Sequence, residues 1–181
     1  MFYNTYKTNQ NQTLVIRIPD NNDARNLLKY IDKVSSETDF LTFGPGEYEV
    51  SLEDEKKFIE TCRKSSNKII LIAEIKNEII GCLIFRGGDR LRTQHTGEFG
   101  ISVTNSCWRI GIGSILIENL VNWAKSTSII KKINLRVRSD NTKAIKLYER
   151  FDFVREGLIT KEIHISGRFY DNIFMGLQID S

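Results

Sequence analysis

The chain has 181 residues, 40% of them hydrophobic and 27% charged, which suits one globular domain with a sizeable core. Its net charge of +3 is mild and its basic residues are scattered, so nucleic acid is not an expected partner. Three widely spaced cysteines and two distant histidines predict neither disulfides nor a metal site. The unpaired cysteines favour a cytoplasmic location. No apolar run approaches the ~20 residues of a membrane helix, so we expect no membrane partner.

The first half of the chain predicts strands and two helices. Segment 1–12 is polar, rich in Asn and Gln, and has no signal-peptide core, so we expect a loosely ordered tail before a domain over 13–181. Apolar patterns and helix-start signals then predict a strand at 14–18, helices from Pro19 to about Val34 and from Ser51 to about Lys64, and strands at 68–76, 78–86 and 95–103.

The stretch from Val103 to Ser114 predicts an anion-binding site. It follows the end of a strand, contains Gly111-Ile-Gly113, and leads into a strongly periodic helix from Ile112 to Lys125. The first turn of a helix leaves backbone N–H groups unpaired, and its dipole favours negative charge there. Because glycine lacks the Cβ that would hold a phosphate away, the stretch indicates a ligand that carries a pyrophosphate.

The last third of the chain continues with a strand, a helix and a hairpin. We expect a strand at 135–138, a helix over 141–151, and strands at 154–165 and 168–179 that turn around Ser166-Gly167. The full order is strand, helix, helix, three strands, helix, strand, helix, strand, strand. No internal repeat, linker or low-complexity segment interrupts it.

Two motifs in this half resemble those of the GNAT acetyltransferases. Trp108-Arg-Ile-Gly111-Ile-Gly113 is similar to the family's Arg/Gln-x-x-Gly-x-Gly/Ala. Asn141-Thr-Lys-Ala-Ile-Lys-Leu-Tyr-Glu-Arg-Phe-Asp-Phe153 resembles Asn-x-x-Ala-x-x-x-Tyr-x-x-x-Gly-Phe. The resemblance spans about 13–178. The chain departs at Trp108, which a bacterial branch of the family also carries, and at Asp152, where the family has Gly.

The resemblance implies an α/β fold, a mixed twisted sheet of about seven strands with helices on both faces. It implies acetyl transfer from acetyl-CoA to a primary amine, on a small molecule or a protein N-terminus, without a metal. The two strands before the cofactor-side helices should part and leave a cleft for the thioester. The residues implied to contact acetyl-CoA are Ile101, Ser102, Val103, Trp108, Arg109, Ile110, Gly111, Ile112, Gly113, Ser114, Asn141, Ala144 and Tyr148. Asn141 is equally suited to cap its helix.

The catalytic residues are less well determined by the sequence. The resemblance implies that Tyr148 is the acid that protonates the departing thiolate, whereas periodicity alone favours a core role for its ring. The base is His95, Glu98 or a water chain. Strand alternation places His95 on the same face as Val103 and Glu98 on the other. Histidine has a suitable pKa near 6.5.

The partners are predicted only by class. The carboxylates of Glu37, Asp39, Glu47 and Glu49 either select a cationic amine or form a solvated acidic loop. A non-catalytic protein that binds or senses acyl-CoA is the main alternative to an enzyme. A dinucleotide-binding domain is disfavoured, since Gly-x-Gly-x-x-Gly does not follow Val103 directly. The oligomeric state is open, with a homodimer among the alternatives.

Overall fold

A computed structural model describes residues 2–8 and 10–179, and a sheet of eight strands runs through that part of the chain. The strand order is β1-β2-β3-β4-β5-β6-β8-β7, and all neighbours are antiparallel except β5 and β6. The strands are β1 Tyr3–Lys7, β2 Thr13–Arg17, β3 Lys68–Ile75, β4 Glu78–Gly87, β5 Thr96–Val103, β6 Lys132–Arg138, β7 Val154–Ile165 and β8 Arg168–Gln178.

Helices cover both faces of this sheet, as the sequence predicts. The helices are α1 Ala24–Glu37, α2 Leu52–Lys64, α3 Ile112–Thr127 and α4 Thr142–Glu149. Side chains alternate along β3, so that Ile70 and Ile72 pack with α1 and α2, whereas Ile69 and Leu71 share a core with α3 and α4. Burial on both faces explains why the central strands read as continuous apolar runs.

The prediction of about seven strands is one too few, because β1 forms in the segment expected to be a loose tail. It pairs with β2 from Tyr3↔Arg17 to Lys7↔Thr13. Its polar side chains are anchored to Asn119 of α3: Asn4 donates to Asn119 at 2.7 Å and Asn119 donates to the Tyr6 hydroxyl at 2.8 Å. Because polar side chains hold β1 in place, its sequence lacks the alternating apolar pattern from which a strand is predicted. Four residues of the predicted tail and domain, 1, 9, 180 and 181, lie outside the described part.

The parallel pair β5–β6 opens into a gap. The strands pair only at Thr96↔Lys132, Gly97↔Ile133 and Glu98↔Asn134, although both continue beyond these residues. In β5, alternate residues turn both backbone groups away from β4. Beyond Glu98 these groups face the gap, where β6 no longer pairs with them. The predicted parting of the two strands is therefore present.

Candidate active site

A cleft of about 1520 Å³ runs from the start of α3, along the gap between β5 and β6, to the loop between α1 and α2. Its wall includes residues from both faces of β5, such as Phe99 and Glu98. Phe99 belongs to the α3/α4 core, whereas Glu98 lies on the opposite face. Because the gap passes through the sheet, one ligand in it contacts both faces.

The N-terminus of α3 has the form of an anion site. Gly111 is its N-cap, with φ +94° and no capping side chain, and the first helical backbone bond is donated by Ile115 to Gly111. The N–H groups of Ile112, Gly113 and Ser114 consequently lack helical partners. A Cβ built on Gly111 would have no heavy atom within 4 Å, so this side of the loop is open to a ligand.

Gly113 has a packing role that the sequence did not reveal. A Cβ at this position would lie 3.2 Å from Cδ2 of Leu147 on α4. Such a contact is tighter than ordinary van der Waals separation, so a larger residue here would require the Leu147 side chain to shift by a few tenths of an ångström. The two glycines of the motif therefore serve different purposes, with Gly111 open to the cleft and Gly113 facing the neighbouring helix.

The loop before α3 is fastened to β5 by a side chain. The indole N–H of Trp108 donates to the Val103 carbonyl at 2.7 Å, while the residue stays 45% exposed and lines the cleft. Arg109, with φ +66°, also lines it, as do Lys143 and Arg150 near α4. Within residues 2–8 and 10–179, none of these three cations has a carboxylate at salt-bridge distance, so this end of the cleft attracts anions.

Asn141 and Ala144 bring the start of α4 to the same cleft. The Asn141 side chain accepts a hydrogen bond from the Ala144 N–H at 3.2 Å, which confirms the capping prediction. Capping does not use the amide nitrogen of Asn141, which stays available to a ligand.

Tyr148 packs in the core and also lines the cleft. It is 7% exposed, and its ring packs edge-on against Phe99 and Phe153 at centroid distances of 5.9 and 6.1 Å. It also lines the cleft, and within the described part of the chain its hydroxyl has no hydrogen-bond partner. Burial raises the pKa of the phenol above its usual value near 10. The phenol therefore keeps its proton at neutral pH, and aromatic packing holds the ring in place.

The structure brings only one of the two candidate bases to the cleft. Glu98 lines it where β5 and β6 part, and its carboxylate lies 3.3 Å from Nε of Arg136. His95 is exposed in the turn before β5, and its carbonyl accepts bonds from Lys131 and Lys132 at the closed end of the strand pair. The strand predicted to begin at His95 begins at Thr96, so alternation within β5 does not place His95, and the cleft contacts both faces of β5 only from Glu98 onward.

The predicted acidic loop contributes mainly apolar groups to the cleft. Of its four carboxylate residues only Asp39 is part of the wall. Glu37 accepts a bond from the Asn105 N–H at 2.7 Å, and Glu47 accepts one from Gly44 at 2.6 Å within its own turn. The loop residues that do line the cleft with Asp39 are Thr38, Phe40, Leu41, Thr42, Phe43 and Tyr48.

Arg138 ties this loop to the end of β6, a contact that the sequence analysis missed. Its guanidinium lies 4.3 Å from the Phe40 ring centroid and 4.0 Å from that of Tyr170, and it donates to the Asp39 carbonyl at 3.0 Å. Asp140 accepts two further bonds from it, at 2.7 and 3.0 Å. Only the Asp140 spacing is visible in the sequence, because the other partners come from distant segments.

Tyr30 is a second residue that sequence reasoning missed. Its hydroxyl is hydrogen-bonded to the hydroxyl of Ser102 at 2.9 Å, which joins α1 to the cleft wall on β5. The signal available in the sequence was only a tyrosine on the apolar stripe of a helix.

A comparison with protein families identifies the class. Residues 34–153, about two thirds of the chain, match the model described as Acetyltransferase (GNAT) family. This chain belongs to the GNAT family of acetyltransferases. Transfer of an acetyl group from acetyl-CoA to nitrogen is the reaction of that family, so the predicted enzyme class and co-substrate are confirmed at the family level.

Relatives and solved structures agree with this assignment. The chain is 30% identical over 105 residues to the L-amino acid N-acetyltransferase AaaT of Escherichia coli, a match that covers 58% of this chain and 65% of that protein. It is 24% identical over 162 residues to the spermidine N(1)-acetyltransferase of Vibrio cholerae, covering 89% and 90% of the two chains.

The similar structures confirm a GNAT-like fold. A GNAT acetyltransferase from Streptococcus pneumoniae superposes with a TM-score of 0.90 at 30% identity, covering 92% of this chain and 99% of that one. The structure of yncA from Salmonella typhimurium with acetyl-CoA gives 0.80 at 20% identity, covering 92% and 94%. The second likeness concerns the fold alone.

One departure from the GNAT motif has a direct structural explanation. Asp152 stands where the family has Gly, and its φ is +62°. Left-handed backbone favours glycine, but Asp is among the residues that adopt it most readily. The turn after α4 is therefore preserved, and the N–H of Phe153 still donates to the Tyr148 carbonyl at 3.2 Å.

Proposed function

We propose that this protein transfers the acetyl group of acetyl-CoA to a primary amine, on a small molecule or a protein N-terminus. The observation that carries the proposal is the continuity of one cleft from the uncapped N-terminus of α3, past Tyr148, to Glu98. A donor with an anionic end and a reactive thioester end fits such a cleft, and an acceptor reaches it from the α1–α2 loop.

The cofactor end supports binding of the pyrophosphate. The N–H groups of Ile112, Gly113 and Ser114 have no helical partners and would donate to the phosphates, and Arg109 adds a cation with no carboxylate partner in the described chain. The proposed contact set also includes Trp108, Ile110, Gly111, Asn141, Ala144 and Tyr148. The pantetheine arm would lie beside Ile101, Ser102 and Val103 of β5, where backbone groups that face the gap have no partner on β6.

The proposed chemistry assigns one proton transfer to each side of the cleft. Glu98 accepts a proton from the acceptor ammonium, directly or through one water, and the free amine attacks the thioester carbonyl carbon. This attack forms the C–N bond, and collapse of the tetrahedral intermediate restores the carbonyl and breaks the C–S bond. The departing thiolate takes the phenolic proton of Tyr148, and the second proton of the attacking nitrogen, released as the amide forms, returns to the phenolate through water. We favour Glu98 over His95 because only Glu98 lines the cleft.

An assay of free thiol tests this proposal against the non-catalytic alternative. Acetyl-CoA is incubated with amino acids, peptides, polyamines and simple amines, and released CoA is followed. We expect thiol release with at least one amine class, together with the N-acetylated product by mass spectrometry. Calorimetric binding of acetyl-CoA without thiol release from any class would favour a sensing protein instead.

The remaining partner predictions stand as proposals. The three cysteines are free, in keeping with the proposed cytoplasmic location. Among the described residues, none of the helices is long and apolar enough to cross a membrane. Membership of the bacterial branch with Trp in the motif, a homodimeric state and a reaction without metal remain predictions.

A further inference from the structure

Arg86 places a positive charge beside the proposed base. It lies on β4 directly opposite Glu98 of β5, in an antiparallel register whose Cα atoms are about 4.5–5.5 Å apart. Both residues line the acceptor end of the cleft, and Arg86 is exposed there. Its guanidinium rests 4.7 Å from the centroid of the Phe58 ring, a contact that positions the charge without neutralising it.

The other arginines at this end of the cleft are already neutralised. Arg136 is bound by Glu98 at 3.3 Å and by Glu162 at 2.7 Å, and Arg138 is held by Asp140. Across residues 2–8 and 10–179, Arg86 has no carboxylate at salt-bridge distance.

Glu55 is a buried acid whose pKa is affected by the charge of Arg86, but the two residues form no ion pair in the described chain. Glu55 is 1% exposed, and one of its carboxylate oxygens has no hydrogen-bond partner. Burial raises the pKa of Glu55, and the Tyr48 hydroxyl and the Arg86 charge oppose that shift only in part. Since Glu55 is not at salt-bridge distance from Arg86 in the described chain, the guanidinium remains available for an external anion.

This arrangement discriminates between classes of amine. Arg86 has no carboxylate partner in the described chain and lies opposite Glu98 on the neighbouring strand, so a polyamine with one amine at Glu98 would bring a further positive charge towards a like charge. An amine that carries its own carboxylate would instead place that group against Arg86. In an α-amino acid the amine and the carboxylate are bonded to the same carbon. This short separation fits two side chains, Glu98 and Arg86, that lie opposite each other on adjacent strands.

We propose that the acceptor is an α-amino acid whose carboxylate binds the Arg86 guanidinium while its amine lies beside Glu98. The side chain then faces Ile31, Val34 and the paired rings of Phe43 and Tyr48, whose centroids are 5.2 Å apart. This wall fits an apolar side chain such as that of leucine or methionine. The inference rests on the proposed N-acetyltransferase function and specifies its substrate class.

A matched series of acceptors tests the carboxylate requirement. Leucine, leucinamide and 3-methylbutylamine share a side chain but differ in the group that would meet Arg86, and spermidine represents polyamines. Rates are compared per unprotonated amine. We expect kcat/KM for leucine to exceed that of the other three by about 10–100-fold, the range for a hydrogen-bonded charge pair.

Variants of Arg86 locate the effect. Arg86→Met should lower kcat/KM for leucine by about 10–100-fold and leave that of 3-methylbutylamine unchanged. The kcat/KM of Arg86→Lys for leucine should lie between those of the wild type and Arg86→Met, because an ammonium cannot form the bidentate pair. Arg92→Met removes the same charge from an exposed residue outside the cleft wall, and should match the wild type. Acetyl-CoA affinity should be the same in all variants.

The outcomes separate this inference from the proposed function. Efficient turnover of 3-methylbutylamine or spermidine, with no preference for leucine, would overturn the amino acid assignment and leave the acetyltransferase intact. If no amine releases thiol, the proposed function fails. Calorimetry of leucine and leucinamide on the enzyme–CoA complex then decides the role of Arg86: tighter leucine binding that Arg86→Met abolishes supports it, and equal binding refutes it.

Discussion

The Trp108 indole N–H donates to the Val103 carbonyl oxygen at 2.7 Å, so the loop that begins α3 is fastened to the last residue of β5. The bond fixes the uncapped helix N-terminus relative to the strand along which the pantetheine arm is proposed to lie. Trp108 therefore acts on cofactor binding by positioning, in addition to any direct contact it makes.

Trp108→Phe tests that positioning role. The variant keeps an aromatic ring and removes the N–H, so we expect acetyl-CoA affinity to fall by about 2–10-fold, the worth of one neutral hydrogen bond. Trp123→Phe is the control, because Trp123 packs against Phe85 at a centroid distance of 5.6 Å in the core, away from the cleft. Its effect should appear in the melting temperature and not in calorimetric affinity. Equal affinities in both variants would contradict a role for the Trp108 bond.

Gly111→Ala tests the anion site at α3. Because Gly111 has φ +94°, an alanine there is strained, and we expect a loss of about 1–2 kcal/mol in unfolding free energy. We also expect weaker acetyl-CoA binding, since the loop must shift and the new Cβ faces the ligand side. Gly46→Ala is a matched control, with φ +77° and no atom within 4 Å of the added Cβ. Its strain should be similar and its affinity unchanged, and an equal affinity loss in both would remove Gly111 from the site.

Much of the cofactor side follows from local sequence. The glycines before α3, the Asn141 cap and the apolar stripe with Tyr148 are each readable within one helical turn. The starts of α3 and α4 were therefore predictable, whereas the parting of β5 and β6 was implied only by the family resemblance. Gly113 is an exception, because its contact with Leu147 depends on how two helices cross, which no local pattern encodes.

The acceptor side could not be predicted in the same way. Arg86, Glu98, Arg136 and Glu162 come together from four different strands, and their pairing depends on sheet register. Strand alternation alone placed His95 and Glu98 on different faces and left both open as the base. The gap between β5 and β6 exposes both faces, which is a property of the sheet and not of the strand.

The base assignment leads to a prediction about pH. Glu98→Gln should lower kcat/KM at neutral pH by about 10²–10⁴-fold, because the positioned proton acceptor is lost. Part of the loss should return as pH rises, since more of the amine is then unprotonated without help from the protein. His95→Ala is the control and should follow the wild-type profile, because His95 is exposed outside the cleft wall. A wild-type profile for Glu98→Gln would leave deprotonation to water alone.

Tyr148→Phe separates acid catalysis from packing. The ring contacts with Phe99 and Phe153 remain in this variant, so the melting temperature and acetyl-CoA affinity should hold while kcat falls by about 10²–10⁴-fold. Tyr148→Ala removes a ring that is 7% exposed and should also cost about 3–5 kcal/mol of unfolding free energy. Tyr6→Phe, which deletes a hydroxyl bonded to Asn119 outside the cleft wall, should keep the wild-type kcat.

The pH dependence of the wild type gives a second view of the same residue. Burial raises the pKa of Tyr148, so the phenol keeps its proton above the usual tyrosine value near 10, and the alkaline loss of kcat should begin only beyond it. A kcat that declines between pH 8 and 9 would indicate another acid, such as the ammonium of the acceptor. A Phe variant with wild-type kcat, measured where chemistry limits the rate, would leave Tyr148 as a core residue whose hydroxyl has no part in catalysis.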